Sequence, residues 1–304
     1  MGVIIIQIRR PLLIILMFVV AISFIITNNT KNDEELNDKI ITIQGVVKGK
    51  IEKKRYNQYK LGVFLINDYT KNKNLKIGQK VNITGKFKSL DKMKYDDFDY
   101  GRYIKSTGYK GIVYINNYKI IDKNKLYSLI GEIKFYISKT YRYLYKKNSD
   151  FINSILLAEV ENLTEEQKEI FTRTGTSHVI SISGLHTGIL CVIISFLLRG
   201  INKLYKLLIL SIFITLYCIM VGASPSIIRS IAFVMIFYLS IFIDRKKDGI
   251  SALSLIGIIL IMNNPYVIYN VSFQLSFLAT LSILIFYNKI NSIIKLSMVS
   301  LTIS

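Results

Sequence analysis

Residues 204–243 read LYKLLILSIFITLYCIMVGASPSIIRSIAFVMIFYLSIFI. Two apolar runs, 204–221 and 226–243, meet at Gly222–Ser226, which holds no basic residue. The flanking loops Arg199–Lys206 and Asp244–Gly249 hold three each. At a rise of about 1.5 Å per residue each run matches a hydrocarbon core of about 30 Å, so this stretch predicts a pair of membrane helices. Because short cytoplasmic loops are enriched in Lys and Arg, the two basic loops are assigned to the cytoplasm and Gly222–Ser226 to the outside.

The same pattern extends in both directions. Apolar segments occur at 179–198, 250–263 and 267–287, and another opens at Ile293 and is still running at Ser304, which reads as an interrupted chain. Asn263–Tyr266 holds no basic residue, and Asn288–Lys295, read as a further loop, holds two. Arg9 and Arg10 precede the apolar run Pro11–Thr27, whose end lacks an A-x-A-like cleavage site; it reads as an uncleaved anchor with a cytoplasmic N-terminus. Residues 29–177 then fall outside. Of 40 basic and 20 acidic residues, 27 and 13 lie in 31–150, a local net charge of +14, and long loops translocate largely regardless of charge. With 51% hydrophobic residues and mean hydropathy +0.37, the composition excludes a disordered tail and an ordinary soluble domain. Both cysteines, Cys191 and Cys218, lie in apolar runs, so no disulfide framework supports the outer part.

From Lys39 to Asp122 the period changes. Ile41, Ile43, Val46-Val47, then Leu61, Val63, Leu65, then Val81, Ile83, then Ile112, Val113, Ile115 alternate between glycine-marked turns, which predicts five or so short strands. A five-stranded OB-like barrel fits this pattern, and an SH3-like barrel or a sandwich fits it too. An aromatic-rich helical turn, Phe98–Ile104, precedes the last strand. Residues 126–147 form a basic amphipathic helix, suited equally to lying on an anionic membrane surface and to packing as a connector. Thr164-Glu165-Glu166-Gln167 is a capping box opening a short polar helix to about Arg173. The expected organisation is an anchor over 1–28, an outer β domain over 38–122, amphipathic and connector helices over 123–177, and a helical membrane domain over 178–304.

Polar residues interrupt the apolar segments in three places: Thr174–His186, Gly222–Arg229 and Ser272–Ser276. On the topology above all three lie toward the outer helix ends, with His186 roughly 12 Å below His178 and Gln274 at similar depth. One polar cavity is expected, lined by His178, Ser181, Ser183, Gly184, His186, Ser224, Arg229 and Gln274. An arginine within a membrane segment usually faces a bundle interior or water, which singles out Arg229; snorkelling to the interface is its plain alternative. Small residues such as Ser181, Ser183 and Gly184 also serve helix packing. The histidines lack the spacing and third ligand a metal needs, so neither metal nor cofactor is expected. Ser183 and His186 lack an acidic partner at their depth, which disfavours a serine hydrolase. In the outer domain Lys53, Lys54, Arg55, Tyr56, Lys86, Lys88 and Arg102, with Tyr59, Tyr69, Tyr95, Tyr100 and Tyr103 interleaved, suit single-stranded nucleic acid. An AT-rich coding bias accounts for abundant lysine equally well.

These motifs, taken in order, resemble the ComEC competence proteins, membrane channels that internalise single-stranded DNA during natural transformation. Leu156–Gly188, containing Phe171-Thr172-Arg173-Thr174-Gly175-Thr176-Ser177-His178 and Ser181-Ile182-Ser183-Gly184-Leu185-His186, resembles the family's first signature. Gly222–Arg229 resembles its second, Phe273–Leu278 its third, and Phe98-Asp99-Tyr100 to Gly111 the end of its outer domain. The resemblance implies an extracytoplasmic OB-type domain, an amphipathic helix and a multi-pass plasma-membrane domain lining a DNA path. It implies single-stranded DNA, a DNA receptor, a cytoplasmic ATPase and the bilayer as partners, with a homo-oligomer open; the chain itself has no Walker-type loop. Two departures stand out: Ala158-Glu159 where the family usually has Gly before an acidic residue, and Ser181 where it often has Ala. The family's C-terminal metallo-β-lactamase-like domain has no counterpart in these residues, so no enzymatic activity is expected of them. An intramembrane serine-type hydrolase and an envelope protein binding anionic polymers are the competing readings.

Overall fold

The computed structural model describes residues 10–30, 34–53, 55–71, 74–95, 98–176, 184–222, 227–228, 231–232, 235–236 and 248–303. In chain order the elements are α1 (Pro11–Asn29), β1 (Ile40–Glu52), β2 (Asn57–Leu61), β3 (Phe64–Asp68), β4 (Gln79–Ser89), β5 (Lys94–Tyr95), β6 (Phe98–Asp99), α2 (Tyr100–Ser106) and β7 (Gly111–Lys123). They continue with α3 (Lys125–Tyr145), α4 (Ser149–Leu157), α5 (Glu165–Arg173), α6 (Gly184–Leu197), α7 (Lys203–Val221), α8 (Gly249–Asn263) and α9 (Val271–Ile303). They fall into two compact units, residues 1–29 with 232–304, and residues 30–231.

In the second unit β1, β2, β3, β7 and β4 close into a barrel in that order. All the neighbouring pairs are antiparallel except β3 and β7, which run parallel from Phe64↔Gly111 to Asn67↔Tyr114. A single long β1 makes closure possible: residues 40–46 pair with β4, a bulge falls between Val47 and Gly49, and the remainder pairs with β2. Bulges bend a strand and increase its twist, which carries one strand around the corner of a barrel. The alternating apolar residues fill the interior, with Val47, Tyr59, Leu61, Ile66, Val81, Ile83, Phe87 and Val113 all buried. Tyr59, read from sequence as a surface aromatic, belongs to this core: its place in the alternation beside Leu61 turns it inward, and burial raises its phenol pKa. A second cluster, Leu65, Leu90, Met93, Ile104 and Ile112, seals the outer face of β3 and β7 under α2.

Helices α3 to α7 also belong to this unit. Tyr217 on α7 donates its hydroxyl to the carbonyl of Leu156 on α4 at 3.1 Å. Below it Tyr217, Val221 and Ile227 pack with Ala158, Leu190 and Cys218. Both hydrogen bonds of the capping box form at the start of α5, Gln167 N–H to Thr164 Oγ1 and Thr164 N–H to Gln167 Oε1.

The first unit gathers α1, α8, α9 and a 3-10 turn, Pro265–Tyr269. At one end Arg10 lies 3.6 Å from Asp248, which caps α8 by accepting from Ile250 N–H. At the other, Ser23 donates to the carbonyl of Pro265 at 2.8 Å and Thr27 shares a 3.0 Å hydrogen bond with the Tyr269 hydroxyl. Gly257 lets the helices close up, since a Cβ there would meet Leu16 and Phe277 at 2.9 Å. α1 and α7 are long and apolar enough to cross a membrane; α8 and the described apolar parts of α6 and α9 are shorter.

Two expectations for this unit are corrected. The apolar segment 267–287 is broken at Asn270, whose side chain caps α9 by accepting from Phe273 N–H at 3.1 Å. Asn288–Lys295 is not a loop but part of a continuous helix to Ile303, because it contains no Gly or Pro to end one.

Candidate nucleic-acid interface

The β1–β2 connection is a tight turn closed by Lys53 N–H to the carbonyl of Tyr56 at 3.0 Å. It brings the Lys53 ammonium 3.2 Å from the Tyr56 hydroxyl and 5.2 Å over its ring. Burial acts to lower the Lys53 pKa, but the hydrogen bond to Tyr56 and the charges of Tyr56, Tyr100 and Glu161 outweigh it, and the net shift is upward. Lys53 therefore holds its proton at any physiological pH.

From this turn an aromatic strip crosses the barrel. Tyr56 packs at 4.8 Å, tilted by 33°, on Tyr69, just past β3, and Tyr69 lies 5.8 Å from Tyr114 on β7. Tyr69 remains 55% exposed in the middle of the strip, so its ring is available to a ligand. Tyr114 pairs across the sheet with Asn67 on one side and Lys86 on the other, and Asn67 accepts from Gln58 Nε2 at 2.9 Å. A second aromatic group lies on the β4–β7 connection, where Tyr103 contacts Phe98 at 5.9 Å and Tyr100 at 6.2 Å. Tyr100 and Tyr114 both pack against the cluster of Leu65, Leu90, Met93, Ile104 and Ile112, so the β4–β7 connection flanks the strip.

Not every cation expected here is free to bind. Lys86 and Lys88 lie 3.1 and 3.8 Å from Asp38, and Arg102 lies 3.7 Å from Asp99, which also caps α2. Arg55 is exposed in the β1–β2 turn. Tyr114 and Lys60, which sequence reading missed, join the strip only through barrel closure. Such an arrangement of π-faces, amides and ammonium groups suits a flexible polyanion with planar bases better than a compact anion.

Of the expected path residues, Gly184 opens α6 and His186 sits half-buried in its first turn. Gln274 belongs to the first unit and donates its amide to the carbonyl of Ile268 at 2.7 Å, tying α9 to the preceding turn. His178, Ser181, Ser183, Ser224, Arg229 and Lys54 lie outside the described residues. Among the described residues no group of three or more His, Cys, Asp or Glu is placed to hold a metal ion.

A family model described as Competence protein matches residues 155–301. ComE operon protein 3 of Bacillus subtilis (strain 168) is 27% identical over 183 residues, 60% of this chain and 24% of that protein. Residues 155–301 thus carry the competence protein family's domain. An uncharacterized protein of Aquifex aeolicus (strain VF5) is 30% identical over 125 residues, 41% of this chain and 30% of its own. The chain thus matches less than a third of the length of each of these relatives. The aspartyl tRNA synthetase from Entamoeba histolytica aligns at 13% identity over 57% of this chain and 38% of its own with a TM-score of 0.22, too low to bear on the fold.

Proposed function

We propose that this chain takes part in the uptake of single-stranded DNA, its barrel receiving the strand outside the cytoplasmic membrane and its helices forming part of the path across. The carrying observation is the aromatic strip Tyr56–Tyr69–Tyr114 that runs from the cationic β1–β2 turn across the barrel, flanked by Tyr100 of the β4–β7 connection. OB barrels bind oligonucleotides with the face of strands 2 and 3 and with those two loops. Assignment to that class is supported by the strand order, the parallel β3–β7 pair and the bent first strand.

A multi-pass arrangement is supported by the first unit. Arg10 and the start of α8 share one end, while Thr27 and the Pro265–Tyr269 turn share the other, as alternating basic and non-basic loops require. With the basic end cytoplasmic, the barrel is extracytoplasmic. Arg229, His178, His186, Ser181, Ser183, Gly184, Ser224 and Gln274 remain the residues assigned to the path. The proposal gives the chain no catalytic step; a cytoplasmic ATPase supplies the driving force, a surface receptor delivers the DNA, and the channel forms by itself or as a homo-oligomer.

DNase-resistant uptake of labelled DNA by competent host cells, with and without the gene, tests this reading. Loss of internalised label with surface binding retained is expected; unchanged uptake rejects it. Purified full-length chain should also bind a single-stranded oligonucleotide more tightly than an unrelated polyanion of equal charge at equal salt, and equal affinity would favour an anionic wall polymer.

A further inference from the structure

Lys60 extends the strip toward the second signature segment. It lies two residues along β2 from Gln58 on the same outer face, about 7 Å away. Its stem crosses β1 where Gly49 leaves room, a Cβ there falling 3.1 Å from Lys60 Cδ. Its ammonium ends at Gly222, the residue that closes α7 and opens the Gly222–Arg229 segment. Gly222 has φ 91° and ψ 131°, a conformation that disfavours any side chain, and among the described residues a Cβ there would meet only Lys60 Nζ, at 3.7 Å. Two glycines thus clear a route for one lysine.

That lysine is poorly compensated. Among the described residues no carboxylate is within ion-pair distance of Lys60 Nζ, whereas its neighbour Lys134 lies 3.9 Å from Glu159, which also accepts from Ser138 and Asn162. Burial lowers the Lys60 pKa and Glu161 only partly opposes it; burial likewise lowers that of Lys134, with Glu159 opposing and Lys60 reinforcing the shift. A cation withdrawn from water beside another cation favours the arrival of an anion.

We propose that Lys60 binds a phosphodiester of the single strand where the strand passes the end of α7 at Gly222. The inference rests on the DNA-uptake reading above. Lys53 and Tyr69 lie at the β1–β2 turn end of β2, and Lys60 lies further along the same strand, leaning across β1.

The test uses full-length chain in nanodiscs and a labelled oligo(dT), with affinity measured against salt for wild type, Lys60→Arg, Lys60→Gln and Tyr69→Ala. Each phosphate neutralised on a single strand contributes about 0.7 to the slope of log affinity against log salt. Lys60→Gln should lower the slope by about that amount and Lys60→Arg should retain it, while Tyr69→Ala should weaken binding at unchanged slope. An unchanged slope in Lys60→Gln overturns the inference and leaves Lys60 as a cap for the carbonyl end of α7. Absence of wild-type binding overturns the DNA reading and this inference with it.

Misfolding is separated by a melt at pH 7. A lysine whose folded pKa lies below its unfolded one disfavours the folded state while protonated, and the penalty fades as pH rises from the folded value to the unfolded one. Lys60→Gln should therefore melt no lower than wild type, and Lys60→Met serves as a second variant with the same expected slope.

Discussion

The barrel and the first helical unit both bury Ile, Leu, Val and Phe, but they differ in what they expose. The barrel interior holds Val47, Ile66, Ile83 and Val113, and its outer face carries lysines, amides and tyrosines. In the helical unit Met17, Phe18, Met262 and Leu275 are all more than 60% exposed, while Ser23, Thr27, Ser254 and Asn270 are buried. On the proposed reading the difference reflects the surroundings: the barrel excludes apolar groups from water, and the helices turn outward the apolar groups that lipid would cover.

The largest test of that contrast uses one substitution in two places. Phe87 is 2% exposed and packs edge-to-face on Phe64, so Phe87→Ala leaves a cavity and should destabilise the barrel by about 3–5 kcal/mol. Phe18 is 67% exposed, so Phe18→Ala opens no cavity and should change the stability of its unit by less than about 0.5 kcal/mol. Hydrogen exchange on the full-length chain reads both, at Ile66 and Val113 for the barrel and along α1 for the helices. Similar losses at the two sites would show that Phe18 is buried against protein.

The next effect concerns the strip. Base–aromatic stacking contributes about 1–3 kcal/mol per base, so Tyr69→Ala should weaken oligonucleotide binding roughly 5- to 150-fold without altering the melt of the barrel. Tyr59→Ala should do the reverse, because Tyr59 is a core residue. Fluorescence anisotropy and thermal unfolding of the same preparations separate the two; loss of binding in neither, or of stability in both, would remove the strip from the function.

These two tyrosines also show what sequence could and could not supply. Period-two alternation located the strands and the cationic β1–β2 turn, because inside and outside are local properties of a strand. It could not say which outward residues become neighbours. Tyr56, Tyr69 and Tyr114 meet because β3 pairs in parallel with a strand more than 40 residues later. Lys60 was invisible for the same reason, since the element beside it closes at Gly222. In the helical unit hydropathy located apolar segments but passed over Asn270, where one capping side chain divides a segment that reads as continuous.

A smaller effect probes the polar interior of the helices. Thr27→Val removes the hydrogen bond to Tyr269 and leaves the shape of the side chain nearly unchanged. Interhelical hydrogen bonds in membrane proteins contribute about 0.6 kcal/mol on average and at most about 1.7, so a loss in that range is expected by unfolding in mixed micelles. A larger loss would show that Tyr269 is held against α1 by this contact more than by its ring packing on Phe24.

The smallest effect lies where the chain departs from the family it resembles. Ala158 closes α4 with φ 59° and ψ 32°, the left-handed conformation in which a Cβ crowds the backbone and glycine is favoured. Its N–H bonds the carbonyl of Asn153, so the conformation is needed to end the helix, and the next residue, Glu159, receives Lys134, Ser138 and Asn162. The glycine that the family resemblance leads one to expect here would meet this backbone requirement freely, and alanine meets it under strain. Relief of that strain is partly offset by the greater freedom of glycine in the unfolded chain, so Ala158→Gly should stabilise the second unit by about 0.5–1 kcal/mol. The gain should appear as slower exchange in α4 with DNA affinity unchanged. A destabilised Ala158→Gly would mean that the methyl's packing among Tyr217, Val221 and Ile227 outweighs the backbone term.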